Sequence, residues 1–96
     1  MRKYEIMFIV RSDADEETRK NTVSSLEKAM TTNKATITLS KELGQRELAY
    51  EINGCRSGFY YLYNIEANDS KAIDEFKRIA KIDENVIRDL VINLDK

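Results

Sequence analysis

Apolar and polar residues alternate in several stretches of the chain, and this alternation predicts strands. Residues 3–10 (KYEIMFIV) and 59–66 each place apolar side chains at every second position, as expected for a strand with one buried face. Residues 86–94 are predicted to form the last strand. A long extended stretch is predicted for residues 34–52, followed by hairpin signals at Asn53-Gly54 and through Gly58. Four strands are therefore predicted.

Two other segments repeat their apolar residues every three to four positions, which predicts amphipathic helices. The first follows potential N-caps at residues 12–15 and runs to about Thr32, and the second follows Asn68-Asp69-Ser70. Each helix has one apolar stripe. The stripes consist of Val23, Leu26 and Met30 in the first helix and Ile73, Phe76, Ile79 and Ala80 in the second.

The order strand, helix, strand, strand, helix, strand predicts an α+β fold of one domain, residues 1–96. Both helices must cover the same face of the sheet, because each has a single stripe to bury. Right-handed crossovers then place strands one and three at the centre, antiparallel to each other. This arrangement is a ferredoxin-like sandwich with a four-stranded antiparallel sheet.

The apolar pattern changes phase near Gly44. Ile37 and Leu39 occupy odd positions, whereas Leu48 and Tyr50 occupy even ones. In a strand this change would turn the apolar set to the other face of the sheet, unless one extra residue is inserted. We predict a β-bulge or bend at Gly44, with a positive φ or an unpaired amide. The alternative is a short loop that divides two strands.

Composition narrows the class of protein. Hydrophobic residues make up 42% and charged residues 34% of the chain, and the net charge is −1, which is not typical of a free-standing nucleic-acid binder. No apolar run is long enough to span a membrane, and the N-terminus lacks the features of a secretory signal. The lone Cys55 has no intrachain disulfide partner, which favours the cytoplasm. We expect it to be an exposed thiol in the hairpin loop.

The residues needed for common catalytic and metal sites are missing. The chain has no histidine and one cysteine, and its three glycines match neither a phosphate loop nor a dinucleotide fingerprint. We therefore predict no enzyme activity, no cofactor and no metal site. Base stacking on the third strand is disfavoured, because its outward set ends in Asn64 and Glu66, although Tyr60 leaves that alternative open.

The segment Gly44–Asn53 (GQRELAYEIN) resembles the signature of the bacterial small-subunit ribosomal protein six family at every constrained position. The start of the chain (MRKYEI) and residues 86–92 (VIRDLVI) are similar to the first and last strands of that family. Glu51 departs from the proline that many members have there. The resemblance covers essentially the whole chain.

The resemblance implies a cytoplasmic, ribosomal role with no turnover. The chain would bind the central domain of small-subunit ribosomal RNA, as a heterodimer with the small basic ribosomal protein eighteen. That partner would supply much of the phosphate neutralisation that a chain of net charge −1 lacks. The alternative is a homo-oligomeric ferredoxin-like regulatory or ligand-binding module, since fold alone does not fix function.

Two surfaces are candidate sites. A basic corner that positions phosphates is predicted from cations expected near one end of the sheet, unless these are solvated charges paired with Glu5, Glu47 or Glu66. A partner surface is predicted on the sheet face that the helices leave uncovered, with Glu5, Asn64 and Arg88 as its polar rim. The alternative is a modestly apolar face without a partner. The corner consists of Arg2, Lys3, Arg46 and Lys96, and the partner surface of Met7, Ile9, Tyr60, Leu62, Arg88, Leu90 and Ile92.

Overall fold

Four strands and two helices alternate in the predicted order. The structure, a computed structural model, describes residues 2–52 and 54–94, apart from the side chain of Ile52. The elements are β1 (Arg2–Arg11), α1 (Glu16–Thr32), β2 (Thr36–Ile52), β3 (Cys55–Ala67), α2 (Lys71–Ile82) and β4 (Val86–Asn93). The strands form one antiparallel sheet in the order β2-β3-β1-β4. This confirms the predicted fold class and the central position of strands one and three.

Alternation along the two central strands builds the core. In β1 the side chains of Tyr4, Ile6, Phe8 and Val10 are buried against the helices, and so are the alternate residues of β3. The Phe8 ring stacks on Tyr61 with centroids 5.2 Å apart, and lies 5.9 Å from the Phe76 ring of α2. The helix stripes are buried as predicted, with Val23 and Ile79 partly exposed.

The two helices begin differently. The Asp15 carboxylate accepts a hydrogen bond of 2.7 Å from the Thr18 amide. Hydrogen bonding with the Thr18 side chain, and then with this amide, holds the pKa of Asp15 below its usual value. Ser70 precedes α2 but makes no capping bond with its side chain. Asp69 instead accepts a bond of 3.0 Å from the Lys71 amide. The first helix therefore has the stronger cap.

Strand β2 is continuous but irregular. Its register with β3 shifts between Ile37 and Leu39, and again between Glu42 and Gly44, which has φ +86°. The second shift is the predicted bulge, and the continuity of β2 rules out the loop that would divide it in two. Leu39 thereby pairs with an outward residue of β3, and Leu48 also lies on the outward side, where it packs on Ile9.

Gly58 does not belong to the hairpin turn, contrary to the sequence-based expectation. β3 begins at Cys55, so Gly58 is a strand residue, while Gly54 carries the positive φ of +81°. Asn53 lies outside the described residues. A Cβ atom at Gly58 would overlap Ile9 Cγ2 and approach the carbonyl oxygen of Val10 to 3.1 Å. Glycine is therefore needed here for close packing, and not for a turn.

Candidate functional site

The sheet face away from the helices, here called the open face, contains all the residues of the predicted partner surface. Met7 lies between Leu62 of β3 and Leu90 of β4. The neighbouring rows place Ile9 between Tyr60 and Arg88, and Glu5 between Asn64 and Ile92. All seven predicted residues thus occupy adjacent positions, because directly paired residues in an antiparallel sheet share a face.

Exposure differs sharply within this set. Leu90 is 49% exposed and Ile92 is 41% exposed, whereas Ile9 is only 6% exposed. Ile9 points away from the helices as predicted, but it is covered by Leu48, by Ile87 and by other residues of a second apolar cluster. Its assignment to an accessible partner surface is therefore wrong.

The cover comes from the far end of the β2–β3 hairpin, residues 47–52 and 54–56, here called the hairpin arm. Cys55 belongs to the same cluster as Ile9 and Ile87, so it is buried and not the exposed thiol that the sequence suggested. The arm starts where β2 again loses its register with β3, between Glu47 and Ile52. Alternation within a single strand does not reveal such cover, because the covering residue comes from another part of the sheet.

A groove of about 320 Å³ lies between the hairpin arm and β4. Met7 and Leu90 line it from the sheet, while Leu48 and Tyr50 line it from the arm. The Arg88 guanidinium donates a hydrogen bond of 3.4 Å to the Tyr50 hydroxyl, which raises the pKa of Arg88. The residues of the arm were missed by sequence reasoning, although the phase change near Gly44 was a signal that β2 bends.

Glu5 and Asn64 lie at the polar margin of the open face, where a rim was predicted. Their positions pair directly, and Asn64 is partly buried. The Asn64 side-chain oxygen is buried, and among the described residues it has no hydrogen-bond partner. A donor group from a partner would satisfy this oxygen.

Within the described residues, the cations of the predicted basic corner do not form one cluster. Arg2 pairs with Ala67 at the end of β3, whereas Arg46 pairs with Gly58 near its start. These positions on β3 are nine residues apart, which corresponds to about 30 Å at a rise of about 3.4 Å per residue. The cause is hairpin topology, because a residue just before the turn must pair with one just after it.

Arg2 and Lys3 are adjacent and exposed, and Lys3 pairs across the sheet with Glu66. Lys96 lies outside the described residues. Arg46 is also exposed. Within the described part of the chain it forms no ion pair and no side-chain hydrogen bond. The cations are therefore available individually, at two ends of the sheet.

Within residues 2–52 and 54–94, no group of three or more acidic or cysteine side chains is arranged to hold a metal ion. No helix in this part of the chain is long and apolar enough to cross a membrane. The chemistry of the open face is thus that of a binding surface with an apolar centre and polar margins.

The chain is similar to proteins of known family and fold. A family profile described as Ribosomal protein S6 matches residues 3–93. A solved structure of 30S ribosomal protein S6 from Thermotoga maritima is similar, with a TM-score of 0.90 and 27% identity over 96% of this chain and 86% of that one. The C-terminal domain of the MgtC protein from Mycobacterium tuberculosis shares the fold alone, with a TM-score of 0.60 and 9% identity over 97% of this chain and 87% of that one.

Proposed function

We propose that this chain, which belongs to the ribosomal protein S6 family, binds the central domain of small-subunit ribosomal RNA as a heterodimer with ribosomal protein eighteen. Members of this family are structural constituents of the small ribosomal subunit in the cytoplasm, and they are not enzymes. The proposal adds to this role a specific RNA domain and a specific protein partner.

The observation that carries the proposal is the uncovered apolar row of the open face. Met7, Leu62 and Leu90 are direct neighbours across three strands, and Leu90 and Ile92 remain 49% and 41% exposed. Contiguous exposed apolar side chains next to a groove are typical of protein–protein interfaces. The flanking Glu5 and Asn64 supply the polar rim that such interfaces have.

Charge supports a basic partner. The chain has a net charge of −1, whereas a protein that binds RNA by itself gains most of its affinity from a basic excess. A basic partner supplies that excess, and Arg2, Lys3 and Arg46 add local contacts to phosphates. These contacts position the RNA backbone without reading its bases.

Molar mass measured by light scattering after size exclusion tests the partnership. We expect the chain to be a monomer alone and to form a one-to-one complex with ribosomal protein eighteen. Leu90→Asp and Ile92→Asp should each prevent the complex, because they place a carboxylate in the apolar row. Ile82→Asp is the matched control, since Ile82 is 68% exposed at the end of α2.

A complex formed normally by both sheet variants would contradict the proposed interface. A stable homo-oligomer of the wild-type chain that does not take up the partner would instead favour the homo-oligomeric module. Binding of central-domain RNA by the wild-type chain together with its partner, and not by an unrelated RNA of equal length, tests the RNA half of the proposal.

A further inference from the structure

Charged residues are sorted between the two faces of the sheet. Among the paired strand positions that the structure describes, the open face carries five cations and two anions, although the whole chain has a net charge of −1. The cations are Lys3, Arg11, Lys41, Arg46 and Arg88, and the anions are Glu5 and Glu66. The rest of the chain, with 11 Lys or Arg and 15 Asp or Glu, is acidic. A polyanion is therefore attracted to the open face.

Two of these cations already have side-chain partners. The Arg11 guanidinium donates to Asp13 with distances of 2.6 and 3.1 Å, and Arg88 donates to Tyr50. Both contribute to the field of the open face but are less available for a new ligand. Lys3 forms no ion pair within the described residues, but it lies opposite Glu66 at the other end of β3 from Arg46.

Lys41 and Arg46 have no such partner in the described part of the chain, and they lie on the same strand. Both are exposed on β2, and within the described residues neither forms an ion pair or a side-chain hydrogen bond. They pair with Leu62 and Gly58, which are four residues apart on β3. Their backbones are therefore about 13 Å apart at about 3.3 Å per residue, far enough to contact separate phosphates.

Gly44 lies between these two cations, at the bulge. It has φ +86°, and no atom lies within 4 Å of the place where a Cβ would stand. β2 is an edge strand, so backbone amides on its outer side point away from β3. A glycine at this position lets a ligand approach the backbone closely.

We propose that the RNA phosphate backbone docks along the outer edge of β2, held by Lys41 and Arg46 on either side of the Gly44 bulge. This inference rests on the proposed function and locates its RNA contact. The open face is then divided: the RNA lies along β2, and the partner covers the apolar row on β1 and β4. A basic partner is repelled from the β2 side, which reinforces the division.

The test uses the full chain with ribosomal protein eighteen and a transcribed central-domain RNA. Affinity is measured over a series of salt concentrations for the wild type and for Lys41→Gln/Arg46→Gln. Each lost phosphate contact lowers the slope of log K against log salt by about 0.7–0.9, so the double variant should lose about 1.4–1.8. Lys28→Gln/Lys77→Gln, with exposed lysines on α1 and α2, removes equal charge and should leave the slope near the wild-type value.

Gly44→Asn provides a second variant at the same edge, because asparagine tolerates a positive φ while adding a side chain. We expect it to weaken RNA binding and to leave the heterodimer intact. An unchanged salt slope in Lys41→Gln/Arg46→Gln, or a loss of heterodimer in that variant, would overturn the assignment of this edge to RNA. Failure of the wild-type complex to bind central-domain RNA would overturn the proposed function as well, so the two failures are distinguishable.

Discussion

The two faces of one sheet differ in how they are covered. On the helix side, Phe8 is fully buried beneath α1 and α2, and the alternate residues of β1 are sealed with it. On the open face, one residue further along β1, Ile9 is covered by the hairpin arm and by Ile87 of β4, and Leu90 stays exposed. The chain's own residues cover the helix-side face fully, whereas they cover the open face only in part.

This difference separates stability from binding. Residues that the chain itself covers contribute to the free energy of unfolding, because their apolar area leaves water on folding. Residues that stay exposed, such as Leu90 and Ile92, contribute little to folding and are free to contribute to association. Substitutions on the two faces should therefore affect different measurements.

The largest effect is expected in the helix-facing core. Phe8→Ala should lower the free energy of unfolding by about 3–5 kcal/mol, because it leaves a cavity among Tyr61, Tyr63 and Phe76. Leu90→Ala should change it by less than about 0.5 kcal/mol, as for other surface substitutions. Urea unfolding followed by circular dichroism measures both, and equal losses would show that the faces are not distinct.

Ile9→Asp and Ile92→Asp compare the covered part of the open face with its exposed part. Ile9 is 6% exposed under the hairpin arm, so the substitution should cost about 3 kcal/mol by placing a carboxylate in an apolar cluster. Ile92→Asp, on the exposed part of the same face, should cost less than about 0.5 kcal/mol while blocking the partner. Similar thermal unfolding of the two variants would mean that the arm does not cover Ile9 in solution.

The bulge should show a smaller effect. Gly44→Val should cost more than about 1 kcal/mol, because a β-branched residue is strained at φ +86°. Gly44→Asn should cost less, since asparagine adopts this region more readily. Chemical denaturation compares the two; equal costs would indicate that φ is not the reason for glycine here.

The smallest effect concerns pH and the cap of α1. Hydrogen bonds with the Thr18 side chain and with its backbone amide stabilise the ionised Asp15 carboxylate and lower its pKa below the ordinary 3.8. A group with a lowered pKa stabilises the fold above its unfolded pKa, and this stabilisation is lost as pH falls through its folded pKa. Asp15→Ala should therefore lower the Tm at pH 7, with a difference that shrinks below about pH 4. A difference that does not change with pH would contradict the charged cap.

Features set by local periodicity could be predicted from the sequence. The helices, the strands and the helix-facing set followed from spacing, because a side chain's face depends only on its position along its own element. The bulge at Gly44 could be predicted because the apolar pattern of β2 changes phase there. An inserted residue is what allows the pattern to continue on the same face.

Features that depend on contacts between distant segments could not be predicted in this way. The burial of Ile9 and Cys55 depends on how far β2 bends over the sheet. The alternation of residues along β1 does not indicate this bend. The position of Arg46 is different, since hairpin pairing already required it to face the start of β3. Hairpin pairing therefore separates Arg46 from Arg2 and Lys3, which is incompatible with a single basic corner.

Amide hydrogen exchange of the chain, alone and with ribosomal protein eighteen, tests most directly whether the exposed part of the open face is the partner surface. We predict that the partner slows exchange in β4, Val86–Asn93, because it covers the Leu90 and Ile92 side of that edge strand. Exchange in α1 and α2 should stay unchanged. Protection confined to the helices, with β4 exchanging as in the free chain, would contradict the account.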